Sequence, residues 1–192
     1  MTELNLESLR ESLPAYAKDI KLNLGNVLTT EGSGDLTINQ IMGVALASAY
    51  ATRNIKVIGA IAYEAASVIS QAEQEAAKSA SAIMAMNNIY YRFIHLVHDE
   101  ELGKLPPKLR MNVIGSPGIA KVEFELYSLA VSAINGCGMC MEAHVHEVLK
   151  GGISKLGIQS SIRIAAVINA TAQAISNRDA ENALHNKSEL AA

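Results

Sequence analysis

Proline stands at only four positions, Pro14, Pro106, Pro107 and Pro117, so two long stretches of the chain run without one. Proline is the residue a helix interior tolerates least, at about 3 kcal/mol, and its confinement leaves both stretches free to be helical. Alanine fills them. Runs such as Glu73 to Met86 combine high helix propensity with little of the β-branched, aromatic alternation that marks strands. The fold class this predicts is all-α.

Individual helices follow from the punctuation. Thr37 is placed to cap a helix running through Val44 toward Tyr50. Ile55 to Ile69 and Ala72 to His98 read as two more, the second long enough for a break. Leu105-Pro106-Pro107-Lys108 closes that region, and Asn112 to Gly118 is a turn-rich connector. Helices are then expected over Lys121 to Ile134, over Cys140 to Leu149 closed by Gly151-Gly152, and over Ser160 to Ile175. The polar tail from Ser176 is expected to fray.

With 192 residues, 49 % of them hydrophobic, the chain can bury a core and needs no staples, so a single domain over 1–192 is expected. Its N-terminal half, about 1–110, lacks cysteine; its C-terminal half, about 111–192, carries both. A net charge of −3 without a Lys/Arg block sets nucleic acid aside as a partner. The apolar stretch Ile41 to Ala51 is too short to span a bilayer, and Met1 to Asn5 lacks the basic-then-apolar order of a secretory signal. No membrane association and a cytoplasmic location are the expectations. Two cysteines three positions apart make no disulfide framework; in a reducing compartment they read as a redox or metal motif.

The halves echo each other. Sliding the chain by 84 lays Ser48-Ala49 over Ser132-Ala133 and Ala82-Ile83-Met84 over Ala166-Val167-Ile168, which suggests duplication of a helical unit. Arg53 and Lys56 would then stand at the places of Cys137 and Cys140, and only the C-terminal copy would carry chemistry.

That chemistry centres on Asn135-Gly136-Cys137-Gly138-Met139-Cys140-Met141-Glu142-Ala143-His144. Gly136 and Gly138 interrupt one helix before another starts, placing Cys137 at or just before a first helical turn. Backbone N–H groups there lack partners and the helix dipole favours negative charge, so a thiol ionises more readily. Cys137, Cys140 and His144 fall on one helix face. Two thiols a turn apart can close a disulfide, and an imidazole near pKa 6.5 suits the proton exchange a thiol needs. Glu125 lies about three turns upstream, where an antiparallel helix pair would bring it back toward the thiols.

Two rival readings keep the same residues. The cysteines could be small buried hydrophobes. They could instead hold structural zinc with His144 and His146, although those histidines lie about 200° apart on a helix, so the site would need a fourth ligand from elsewhere. Taken alone, Glu125 reads as a solvated helix residue, like Glu142 and Glu147. His95 and His98 share a face suited to packing or an interface.

Read together, Glu125, Cys137, Cys140 and His144 follow E-x11-C-x2-C-x3-H. This pattern resembles the alkylhydroperoxidase AhpD family, within the wider group that includes carboxymuconolactone decarboxylases. Ala82-Ile83-Met84-Ala85-Met86-Asn87-Asn88-Ile89-Tyr90-Tyr91-Arg92-Phe93 is similar to that family too. The resemblance implies an all-helical fold with an internal repeat, assembled as a homotrimer. It implies reduction of an organic hydroperoxide substrate and of an AhpC-type peroxiredoxin. It implies no bound cofactor, with electrons arriving from the lipoyl group of a partner protein of a lipoylated dehydrogenase complex.

Carried over, Cys140 is the thiol that attacks peroxide, Cys137 resolves it as a redox-active disulfide, and Glu125 with His144 completes a proton relay. Helix-dipole reasoning alone would instead favour Cys137 as the nucleophile. Members of the family can carry a histidine just before the second cysteine; here Met139 stands there and cannot move protons. A decarboxylase of the muconolactone type on the same scaffold, which needs no dithiol, and a zinc-stabilised helical interaction module are the alternatives.

Overall fold

The computed structural model describes residues 5–190, with side chains described for 5–186; the N-terminal residues 1–4, part of the expected non-signal segment, lie outside the described residues. Among the described residues every regular element is a helix. In chain order they are α1 (Leu6–Glu11), a 3₁₀ turn (Ala15–Ala17), α2 (Lys18–Val27), α3 (Ile38–Thr52), α4 (Ile55–Val68), α5 (Gln71–Val97), α6 (Glu100–Lys104), α7 (Asn112–Gly115), α8 (Lys121–Ile134), α9 (Gly138–Lys150) and α10 (Lys155–Leu190).

The caps explain the starts. Thr37 and Gln40 form a reciprocal capping box at α3, Ser70 and Glu73 another at α5, and the side chain of Asn54 accepts from two N–H groups of α4. Nothing interrupts α5, so the break allowed for in that segment is absent. The connector before α8 contains the single turn of α7.

Two helices form the middle. α3 packs against α4, α5, α8 and α10, while α8 packs against α3, α5, α9 and α10. Surrounded in this way, each is buried over most of its circumference: residues 40–49 of α3 and 124–132 of α8 are all buried. Small residues such as Gly43, Ala45, Ala47 and Ala130 let the neighbouring backbones approach. The ring and hydroxyl of Tyr127 press directly onto α3 where Gly43 has no Cβ. No helix among the described residues is long and apolar enough to cross a membrane.

The last helix departs from expectation at both ends. It starts at Lys155, because the Ser154 hydroxyl accepts from the Gly157 N–H and caps it. It also continues past Ser176, where fraying was expected. The polar tail is pinned by other helices: Asn54 donates to the Ala172 carbonyl and the Ser176 hydroxyl, Lys56 pairs with Asp179, and Arg178 donates to the Ser12 carbonyl at the end of α1.

Order and junction geometry recur along the chain. α3, α4 and α5 start at 38, 55 and 71; α8, α9 and α10 start at 121, 138 and 155. The α3–α4 junction passes through Arg53 at φ 60° and the N-cap Asn54; the α8–α9 junction passes through Gly136 at φ 70° and the N-cap Cys137. In each junction the residue after the left-handed one is the N-cap, Asn54 in the first and Cys137 in the second.

Candidate active site

The site grows from the α8–α9 junction. Gly136 takes a left-handed conformation that a side chain would strain. Its N–H donates to the Ala133 carbonyl and the Cys137 N–H to the Ser132 carbonyl, closing α8 with the paired bonds of a Schellman motif. Cys137 is thereby extended, and its side chain turns to the start of α9, where Sγ accepts the Cys140 N–H at 3.3 Å. The two cysteines, 5.3 Å apart at Cα, are joined as a disulfide.

α5 fixes this junction from below. Asn88 donates to the Ser132 hydroxyl and accepts from Asn135, each at 2.9 Å, and Arg92 donates to the Asn135 carbonyl at 2.6 Å. Sequence reasoning passed over Asn88 and Arg92. Their spacing of four, which puts both on one face of α5, is the signal the sequence carries.

Antiparallel packing of α8 on α9 brings Glu125 back to the site. Its Oε2 lies 2.7 Å from Nδ1 of His144, and both side chains are buried. The solvated reading of Glu125 is therefore wrong: α8 is surrounded by other helices here, and the histidine satisfies the carboxylate. Nε2 of His144 meets the sulfur of Met84 at 3.3 Å. His146 is exposed on another face of α9, so His144 and His146 do not converge. Among the described residues no group of three or more His, Cys, Asp and Glu is arranged to hold a metal. His95 and His98 are both exposed, and Nε2 of His95 lies 4.0 Å from where a Cβ of Gly138 would sit.

A cavity of about 330 Å³ opens over the second cysteine, lined by Cys140, Ala143 and Met139 of α9, His144 behind them, Met84, Asn87 and Tyr91 of α5, and Met111 and Ile114 around α7. Cys137 is wholly buried and takes no part in it. On the other side, Glu125 borders a polar depression with Lys121, Glu147 and Lys150. The buried Glu125–His144 pair thus stands between an apolar cavity and a charged surface.

Comparison with known proteins follows the same residues. A model of the carboxymuconolactone decarboxylase family matches residues 100–180, the part holding α8 and α9. The alkyl hydroperoxide reductase AhpD of Coxiella burnetii is 56 % identical over 168 residues, covering 88 % of this chain and 95 % of that protein. The chain belongs to the AhpD family. The AhpD of Rhodospirillum centenum is 54 % identical over 94 % of this chain and 94 % of its own length. That of Streptomyces coelicolor is 50 % identical over 87 % and 92 %. Likeness on this scale takes in α5 as well as the cysteine helix.

Proposed function

We propose that the chain reduces alkyl hydroperoxides through a dithiol–disulfide cycle of Cys137 and Cys140, with a lipoyl dithiol as electron donor. The observation that carries this reading is the asymmetry of the cysteine pair. Cys140 faces an apolar cavity beside a buried imidazole–carboxylate pair, and Cys137 is held behind it at the helix N-cap.

The Cys140 thiolate attacks the hydroperoxide oxygen that bears hydrogen, forming an S–O bond as the O–O bond breaks. The alkoxide takes a proton from the His144–Glu125 pair and leaves as an alcohol, with Cys140 oxidised to sulfenic acid. Cys137 then attacks the sulfenic sulfur, hydroxide leaves with a proton as water, and the disulfide closes. A dithiol attacking Cys140, the sulfur that borders the cavity, expels Cys137 as thiolate and forms a mixed disulfide; its second thiol then attacks its own bonded sulfur, releasing Cys140 as thiolate and closing the donor's disulfide. The polar depression beside Glu125 supplies the route by which the pair recovers protons from water.

The cavity supports the substrate class. Its lining is mostly Met, Ile, Ala and Tyr, which favours an alkyl group over the small polar hydrogen peroxide. A slender dithiol arm of a lipoylated dehydrogenase-complex protein fits the same opening, and an AhpC-type peroxiredoxin is the protein recipient in the proposal. Ile89, Phe93, Leu96 and Val97, exposed along α5, support burial in a homotrimer. A cytoplasmic location suits a disulfide that must be reduced at every turn.

Thiol titration tests the cycle. Dihydrolipoamide should release both cysteines as thiols, and one equivalent of tert-butyl hydroperoxide should consume both again. Thiols that persist in the presence of the hydroperoxide would overturn the reading.

A further inference from the structure

Asn87 is 4 % exposed, its carboxamide oxygen has no hydrogen-bond partner, and it lines the cavity shared by Cys140 and His144. Its neighbour Asn88 is equally buried but fully engaged with Ser132 and Asn135. A buried polar atom left unpaired lowers stability by about 1–3 kcal/mol, so such an atom needs a reason to be there. Among mostly apolar neighbours, Asn87 offers an amide that turns readily about χ2 to present acceptor or donor.

We propose that Asn87 orients the hydroperoxide, its carboxamide oxygen accepting the peroxide O–H so that the oxygen bearing it points at Cys140. This rests on the peroxide-reducing reading above and adds a substrate-binding residue to it. The bond to be broken is O–O; the hydrogen-bearing oxygen passes to sulfur, and the alkoxide leaves toward His144, which supplies its proton. Asn87 neither gives nor takes a proton. The same contact holds the O–H of the sulfenic acid until Cys137 attacks.

Asn87→Leu keeps the volume and removes the amide, and Asn87→Ala is a second variant should leucine pack poorly. With the reduced full-length protein, the rate of thiol loss to tert-butyl hydroperoxide should fall about tenfold, the effect of one hydrogen bond at the transition state. Alkylation of Cys140 by iodoacetamide, which has no O–H to orient, should keep its rate. The Tm of Asn87→Leu should equal or exceed that of the parent, because the unpaired amide oxygen is gone. A hydroperoxide rate within twofold of the parent overturns the role of Asn87 alone. Alkylation slowing in parallel overturns it too, because the effect would then lie on the thiolate. A parent protein that reacts with iodoacetamide but not with hydroperoxide overturns the peroxide-reducing reading itself.

Discussion

The backbone N–H of Cys140 donates to Sγ of Cys137 across 3.3 Å, so one cysteine caps the helix on which the other rides. A sulfur in that position is stabilised as a thiolate, which makes it a good leaving group and a poor target. Helix-dipole reasoning favoured Cys137 as nucleophile because it weighed charge without access. Burial of Cys137 and the opening over Cys140 leave only Cys140 facing the cavity, which supports the proposed attack by Cys140.

That assignment gives the first prediction. Cys140→Ser should lower hydroperoxide turnover on the order of a thousandfold or more, as expected for loss of a nucleophile. Cys137→Ser should still react once and stop, leaving a sulfenic acid on Cys140. Trapping with a sulfenic-specific reagent and mass spectrometry would read this directly. Trapping at Cys137 in the Cys140→Ser variant would reverse the assignment.

Glu125 and His144 form a buried pair 2.7 Å apart. Removing one leaves the other buried without its hydrogen-bond partner, at about 1–3 kcal/mol of stability. Glu125→Gln and His144→Gln should each slow turnover, and the double variant should lose much less than the sum of the two. A double-mutant cycle on Tm and on kcat tests this; strict additivity would show that the two side chains act separately.

Much of this was open to reading from residues. The four-residue pattern and the junction glycines placed the cysteines at a helix start, and α8 runs over the expected Lys121 to Ile134. Local signals carried that information: glycine where the chain must turn, and Thr or Ser with Gln or Glu three residues on. What escaped was tertiary. Met84, Asn87 and Tyr91 come from a helix about fifty residues away, and nothing in their spacing points to Cys140. Likewise, the tail beyond Ser176 is helical through contacts with Ser12, Asn54 and Lys56, which propensity in a polar segment cannot register.

Those contacts make a prediction for α10. Lys56, by hydrogen bonding, and then Arg178 hold the Asp179 carboxyl below its ordinary value. A depressed carboxylate contributes stability above its unfolded pKa that is lost as pH falls through the folded one. Asp179 is partly exposed, so Asp179→Asn should cost under about 1 kcal/mol. Arg178→Ala also frees the Ser12 carbonyl and should speed hydrogen exchange at residues 176–186 without altering exchange in α8. Unchanged exchange in that segment would show that the helix holds without the clamp.

Tyr127 carries the last prediction, which concerns the centre of the fold. Its hydroxyl is buried without a hydrogen-bond partner, and a Cβ at Gly43 would overlap its ring and hydroxyl. Gly43→Ala should therefore destabilise by about 2 kcal/mol, the scale of overpacking in a closed core. Tyr127→Phe removes an unsatisfied polar atom and should be neutral or stabilising at neutral pH. Burial pushes the Tyr127 phenol well above its ordinary range. The unfolded chain then loses this proton near pH 10 while the folded chain keeps it, so stability falls as pH rises beyond that point. The slope from this one group is about 1.4 kcal/mol per pH unit. Denaturant unfolding of both proteins between pH 9 and about 11 isolates the difference, because every other group titrates in common. Parallel curves would mean that Tyr127 reaches water in the native protein.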